Sequence, residues 1–195
     1  SMDSAVYLID RDGVLLQAKG GAPVAGALSW VETLVRKDVP FLIASNHTTS
    51  SPHESAQKLR DRGFPVEDHH IHTPLSILAQ EPGEGRRVYA RGSPGFLAYL
   101  TSLGWEVRDD DAVDRVILGF DREMSTAALA VAIEAMVRHQ ASLVALHVNR
   151  LFQDAAGRLE PGLGAWVRAL EYATGERARV IGKPSPDYYR AALTK

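Results

Sequence analysis

Short apolar runs rich in β-forming residues alternate with longer stretches of helical periodicity, and this alternation restricts the fold more than any other feature. The runs cover residues 5–9, 40–44, 69–72, 87–90, 113–119, 142–147 and 179–182. Helical stretches lie between and after them, at 24–37, 52–62, 93–103, 125–139, 163–174 and 185–193. In the first of these, Leu28, Val31, Leu34 and Val35 fall on one face, the spacing of an amphipathic helix. Parallel strands cannot be joined by a tight turn and need a long crossover, usually helical. The pattern therefore predicts an α/β fold with a parallel sheet.

A chain of 195 residues fits one large domain or two small ones. Residues 75–177 carry strands and helices of their own and read as a second α/β lobe inserted into the first. The expected division is 1–74 with 178–195 as one unit and 75–177 as the other, the first and last strands sharing one sheet. The turn-rich stretch 81–85 is the expected crossing between them, and a second seam falls near 174–177. Hydrophobic residues make up 45% and charged residues 24%, a composition that argues against disorder. With no cysteine, disulfides and thiolate metal sites are excluded. A net charge of −2 without a basic stripe recommends no nucleic-acid partner. No apolar run approaches the roughly 20 residues of a membrane span, and the N-terminus lacks the order of a signal peptide. A cytoplasmic location is the expectation.

Three strand ends carry the chemistry. The run Val6-Tyr7-Leu8-Ile9 ends in Asp10-Arg11-Asp12-Gly13-Val14, two carboxylates one residue apart followed by glycine. Open parallel sheets bind ligands at the carboxyl ends of their strands, which is where both acids stand. Asp10 is placed to attack phosphorus as a nucleophile, and Asp12 to work as general acid and base. Read alone, the segment equally fits a β-turn after a strand. The second run ends in Ser45-Asn46-His47-Thr48-Thr49 ahead of a helix opening at Ser51-Pro52. Hydroxyl, amide and backbone N–H groups at a helix start make an anion site, or simply a capped loop. The third is Val180-Ile181-Gly182-Lys183-Pro184-Ser185-Pro186, where Lys183 can neutralise a phosphate and Asp10, or stand solvated.

In this order, acid pair, hydroxyl and amide, then lysine, the segments resemble the haloacid dehalogenase superfamily in its NagD-like branch. Gly119-Phe120-Asp121-Arg122 and Pro161-Gly162-Leu163-Gly164-Ala165 are similar to stretches of that branch's cap. The resemblance implies a Rossmann-like core with an inserted α/β cap of the C2 type. It implies a phosphatase acting on small phosphorylated metabolites through an aspartyl-phosphate. Asp10 and the backbone carbonyl of Asp12 would hold Mg²⁺, and Ser45, Asn46, His47 and Lys183 would bind the phosphoryl group. Pairing of two copies through the cap is left open. True dehalogenation fits poorly, because a halide leaving group needs no proton and Asp12 would have no task.

The resemblance also implies a fourth motif after the lysine, a Gly-Asp pair with further acids that completes the metal site. No such motif follows Lys183. Weaker metal binding, slower turnover and an exposed edge on the first sheet are the expected consequences. The rival reading is a catalytically impaired or non-catalytic phosphate-binding protein of the same fold. Asp109-Asp110-Asp111 reads as a solvated connection, His69-His70 and His72 as packed or hydrogen-bonded residues rather than a zinc site, and Arg150 as a group able to meet an acidic substrate or simply solvated.

Overall fold

The computed structural model describes residues 5–18, 21–81 and 86–195. Positions 82–85 of the expected crossing and the first four residues lie outside the described residues. The first lobe contains β1 (Tyr7–Asp10), α1 (Ala27–Arg36), β2 (Phe41–Ala44), α2 (Pro52–Asp61), a 3₁₀ turn at Asp68–His70 and β3 (Ile71–His72). Then come α3 (Pro74–Ala79), β4 (Arg87–Arg91), α4 (Pro94–Ser102), β5 (Glu106–Val107), β6 (Arg115–Leu118), α5 (Thr126–Arg138) and β7 (Ser142–Ala145). A hairpin of β8 (Leu151–Gln153) and β9 (Leu159–Pro161) precedes α6 (Leu163–Thr174), β10 (Arg179–Val180) and α7 (Pro186–Leu193).

Helix starts follow from serine. Ser51, Ser93, Ser125 and Ser185 each accept, through Oγ, the N–H three residues on, at 3.1 to 3.3 Å. Proline follows three of them, at 52, 94 and 186, where its missing N–H costs the helix nothing. At its far end α6 stops on Gly175, whose φ of 76° suits only a residue without Cβ.

Two parallel sheets result. One runs β1-β2-β3 and the other β10-β7-β6-β4-β5, with the β8–β9 hairpin apart. Two hydrophobic clusters form, and Ala44 at the end of β2 belongs to the second. Ile9, Val31, Phe41, Ile43, Leu59 and Phe64 pack around the first sheet. Val88, Val116, Ile117, Leu143, Leu163 and Val167 pack around the second. β2 is central in the first sheet and buried along its whole length. Each of its large side chains contributes about 1.5–3 kcal/mol by leaving water. Among the described residues β1 pairs only with β2, and Tyr7 and Leu8 stand exposed on it.

The strand ladder corrects one expectation. β10 does not join β1 in the first sheet; it pairs parallel with β7, Arg179 beside Val144 and Val180 beside Ala145. Residues 179–180 thus belong to the second sheet, and the chain returns to the first lobe only through the loop that follows. The reason is covalent reach: α6 packs Leu163, Val167 and Leu170 into the core of the second sheet, and only four residues separate it from β10. Among the described residues no helix is long and apolar enough to cross a membrane.

Candidate active site

The parallel register brings Asp10 level with Ala44, and Ala44 level with His72. The carboxyl ends of β1, β2 and β3 therefore open on one side. Past β1 the chain doubles back: the N–H of Gly13 donates to the Leu16 carbonyl at 2.8 Å, and that of Leu16 to Arg11 at 2.9 Å. Gly13 holds a φ of 85°, which glycine reaches without the Cβ clash of other residues. This turn keeps Asp10 and Asp12 at the strand end.

Lys183 arrives from the loop after β10. Its Nζ donates to Asp10 Oδ1 at 2.9 Å, closing a contact across 173 positions of sequence. The peptide bond from Lys183 to Pro184 is cis. Asn46 fixes the loop: its Oδ1 accepts the Lys183 N–H at 2.7 Å, and its Nδ2 donates to the Lys183 carbonyl at 3.0 Å. The side chain expected to touch a phosphoryl group is thereby committed to the lysine's backbone, which makes Asn46 a positioning residue. Ser45 Oγ, at the end of β2, accepts the His47 N–H at 2.9 Å.

His47 lines the cleft, but its Nε2 is occupied by Thr49 Oγ1 at 2.9 Å and Ser50 Oγ at 3.2 Å. Burial, then the positive charges of Arg11 and Lys58, hold its pKa below the usual histidine value. A neutral ring in that position offers an anion little. Arg11 forks onto Asp12, Nε to Oδ1 at 3.2 Å and NH2 to Oδ2 at 3.0 Å. Both carboxylate oxygens of Asp12 are thus engaged by the one guanidinium.

Behind the loop, Tyr188 of α7 is fully buried. Its hydroxyl accepts the Ser45 N–H at 3.0 Å and donates to the His72 carbonyl at 2.7 Å. The His72 ring in turn bonds the Tyr188 carbonyl through Nε2 at 2.7 Å. Burial raises the Tyr188 phenol's pKa, so it stays protonated.

The cleft so formed has a volume of about 790 Å³. Asp10, Asp12, Ser45, Asn46, His47 and Lys183 all line it, so the structure gathers every site residue expected from the sequence. It adds Arg11, Ser55, Lys58 and Arg62, and Asn149 rather than the exposed Arg150. The signal for Ser55, Lys58 and Arg62 was present as one face of α2, at spacings of three and four. Asp110 pairs with Arg108 and Asp111 with His139, away from the cleft.

A family profile described as haloacid dehalogenase-like hydrolase matches residues 7–106. An acid sugar phosphatase of Staphylococcus saprophyticus is 31% identical over 96% of the chain and 72% of its own length. The chain belongs to the haloacid dehalogenase-like hydrolases. Within that family it falls in the NagD-like branch. The fold matches a p-nitrophenyl phosphatase from Archaeoglobus fulgidus with a TM-score of 0.83, at 26% identity over 97% of this chain and 72% of that one. It also matches a glycerol phosphate phosphatase from Mycobacterium tuberculosis, solved in complex with magnesium. There the TM-score is 0.75 at 30% identity, covering 97% of this chain and 57% of that one.

Proposed function

We propose that the chain hydrolyses phosphate monoesters of small metabolites through an aspartyl-phosphate on Asp10. The contact between Lys183 and Asp10, 2.9 Å across the two lobes, carries this reading. An ammonium held on a carboxylate at a strand end screens the nucleophile from a dianionic phosphoryl group. The related phosphatases support the choice of ester.

In the first step an Asp10 oxygen bonds to phosphorus, the ester P–O bond breaks, and the departing alkoxide takes a proton from Asp12. In the second, water attacks phosphorus, Asp12 takes its proton, and the acyl-phosphate bond breaks to restore Asp10 and release phosphate. Lys183 and the Ser45 hydroxyl hold the phosphoryl oxygens. Asn46 keeps Lys183 in place.

Mg²⁺ fits the donor chemistry as a partial set, since the Asp10 carboxylate and the Asp12 backbone carbonyl are the hard oxygens it prefers. Bound there, it would offset charge on the phosphoryl oxygens. Among the described residues no three acidic or histidine side chains gather to hold a metal, so water and substrate oxygens would complete the shell. We further assign the lobe built on the second sheet the part of a cap, inserted from about residue 75 and, with β10 in its sheet, returning to the core after Val180 rather than at 177.

Phosphate release from an aryl phosphate with Mg²⁺ tests the mechanism, against Asp10→Asn and against EDTA. Turnover that disappears in both controls is expected. Equal release by Asp10→Asn would sink the aspartate mechanism, and no release by folded wild-type chain would favour the non-catalytic phosphate-binding reading.

A further inference from the structure

One wall of the cleft is unused by the proposed chemistry. Ser55, Lys58 and Arg62 sit at the i, i+3 and i+7 positions of α2 and its C-terminal end, and all three line the same cleft as Asp10. Ser55 is buried, and its Oγ, shielded from solvent, has no hydrogen-bond partner. An orphaned hydroxyl of this kind costs stability unless something completes it.

Among the described residues, the Lys58 charge on that wall also has no anionic partner. Asp10 is paired with Lys183, and Asp12 with Arg11. The Lys58 ammonium donates only to a neutral partner, Ser50 Oγ, at 3.1 Å. Arg62 is braced by backbone carbonyls, its Nε on Gly21 at 3.2 Å and NH1 on Lys58 at 2.9 Å, and lines the same wall. A monoester uses the strand-end groups and leaves this wall facing the rest of the substrate. A neutral apolar group there would leave the ammonium without an anion and the hydroxyl without any partner.

We propose that Ser55 and Lys58, backed by Arg62, form a subsite for a second anionic group on the substrate. This rests on the phosphatase reading for the position of the ester. The group is a carboxylate: one ammonium and one hydroxyl match its two oxygens, whereas a second phosphate would bring more charge and a third oxygen. The favoured substrates are thus phosphorylated hydroxy acids, including sugar-acid phosphates.

The test has a binding arm and a turnover arm. Calorimetry on the wild-type chain compares a phosphorylated hydroxy acid, a bisphosphate and an uncharged alkyl phosphate of similar size. Tighter binding of the hydroxy acid phosphate over the alkyl phosphate is expected. Lys58→Ala should cut that preference about tenfold, the effect of one charge-assisted contact, and Ser55→Ala should cut it by a smaller factor. In turnover, the ratio of kcat/KM between the two esters should fall in the same variants. Equal affinity for the charged and uncharged esters, or a preference that survives both substitutions, overturns the subsite. Preference for the bisphosphate overturns the carboxylate assignment. Selective binding that depends on Lys58 without any turnover would sustain the subsite and count against the catalytic reading alone.

Discussion

Replacing Asn46 by alanine removes both hydrogen bonds that hold the Lys183 peptide, at 2.7 and 3.0 Å, in a part-buried position. Each is worth about 1 kcal/mol net, so the loss in stability is about 2 kcal/mol. For a chain of this size that corresponds to a fall in Tm of about 4–8 °C. The effect on rate is separate. Once the clamp is gone, the Lys183 peptide loses its direct hold on the β2 loop, and the close passage of Gly182 and the Tyr188 anchor fix it less tightly. A misplacement of about 1 Å in a catalytic group costs on the order of 100-fold in rate. Lys183→Ala serves as the comparison, since it deletes the ammonium and keeps the clamp. A partly exposed ion pair contributes about 0–1 kcal/mol, so its Tm should hardly move while its rate falls. Scanning calorimetry and initial rates on an aryl phosphate give both quantities for each variant. If Asn46→Ala melts and turns over like the wild type, the clamp does not position the lysine. A lowered Tm with an unchanged rate refutes the positioning argument alone.

Tyr188→Phe deletes a buried hydroxyl that bonds both Ser45 and His72, and it should cost about 1–3 kcal/mol. Its KM for an aryl phosphate should rise, because Ser45 loses its brace; an unaltered Tm and KM would show the hydroxyl to be idle. Stability should also fall on acidification below about pH 6.5. His70, His72 and His147 all have pKa values lowered, chiefly by burial, so the unfolded chain binds protons there first and the folded state loses ground as pH drops. Melting from pH 7.5 to 5.5 should show this, with a shallower slope for His72→Gln. A Tm that is flat or rises over that range contradicts the sign.

Much of this was legible one segment at a time. The apolar run before Asp10 and the buried run before Ser45 announce strands by composition, and Ser51-Pro52 announces a helix by its cap. The lysine at 183 was legible as a candidate because it follows a short strand and precedes a Ser-Pro cap. What the residues could not reveal is which sheet a two-residue strand joins: β10 has too few side chains for any pattern to tell the sheets apart. β5 escaped for the same reason. The β8–β9 hairpin left a clue in Gly157, whose φ of 82° sits in its turn, but its strands are short and half exposed. The bonds of Asn46 to Lys183 and of Tyr188 to Ser45 join side chain to backbone over 137 and 143 positions. Such bonds carry no periodicity, so only the folded arrangement exposes them.

The corrected place of β10 changes what the site depends on. Asp10 belongs to the first sheet, and Lys183 hangs from the edge of the second. The lysine therefore reaches Asp10 only while the two lobes hold their present contact. Three groups maintain it at one point. Gly182 passes so close to the Leu146 carbonyl of the second lobe and to Asn46 of the first that a Cβ there would collide with the former and press on the latter. Asn46 then takes the next peptide, and Tyr188, a turn into α7, returns to β2 and β3. Glycine for close passage, amide for grip and phenol for anchorage act in order along seven residues. Substrate charge is then met by groups whose spacing is set by both lobes together. Among the described residues, neither sheet alone brings an acid, a hydroxyl and a lysine to one strand end.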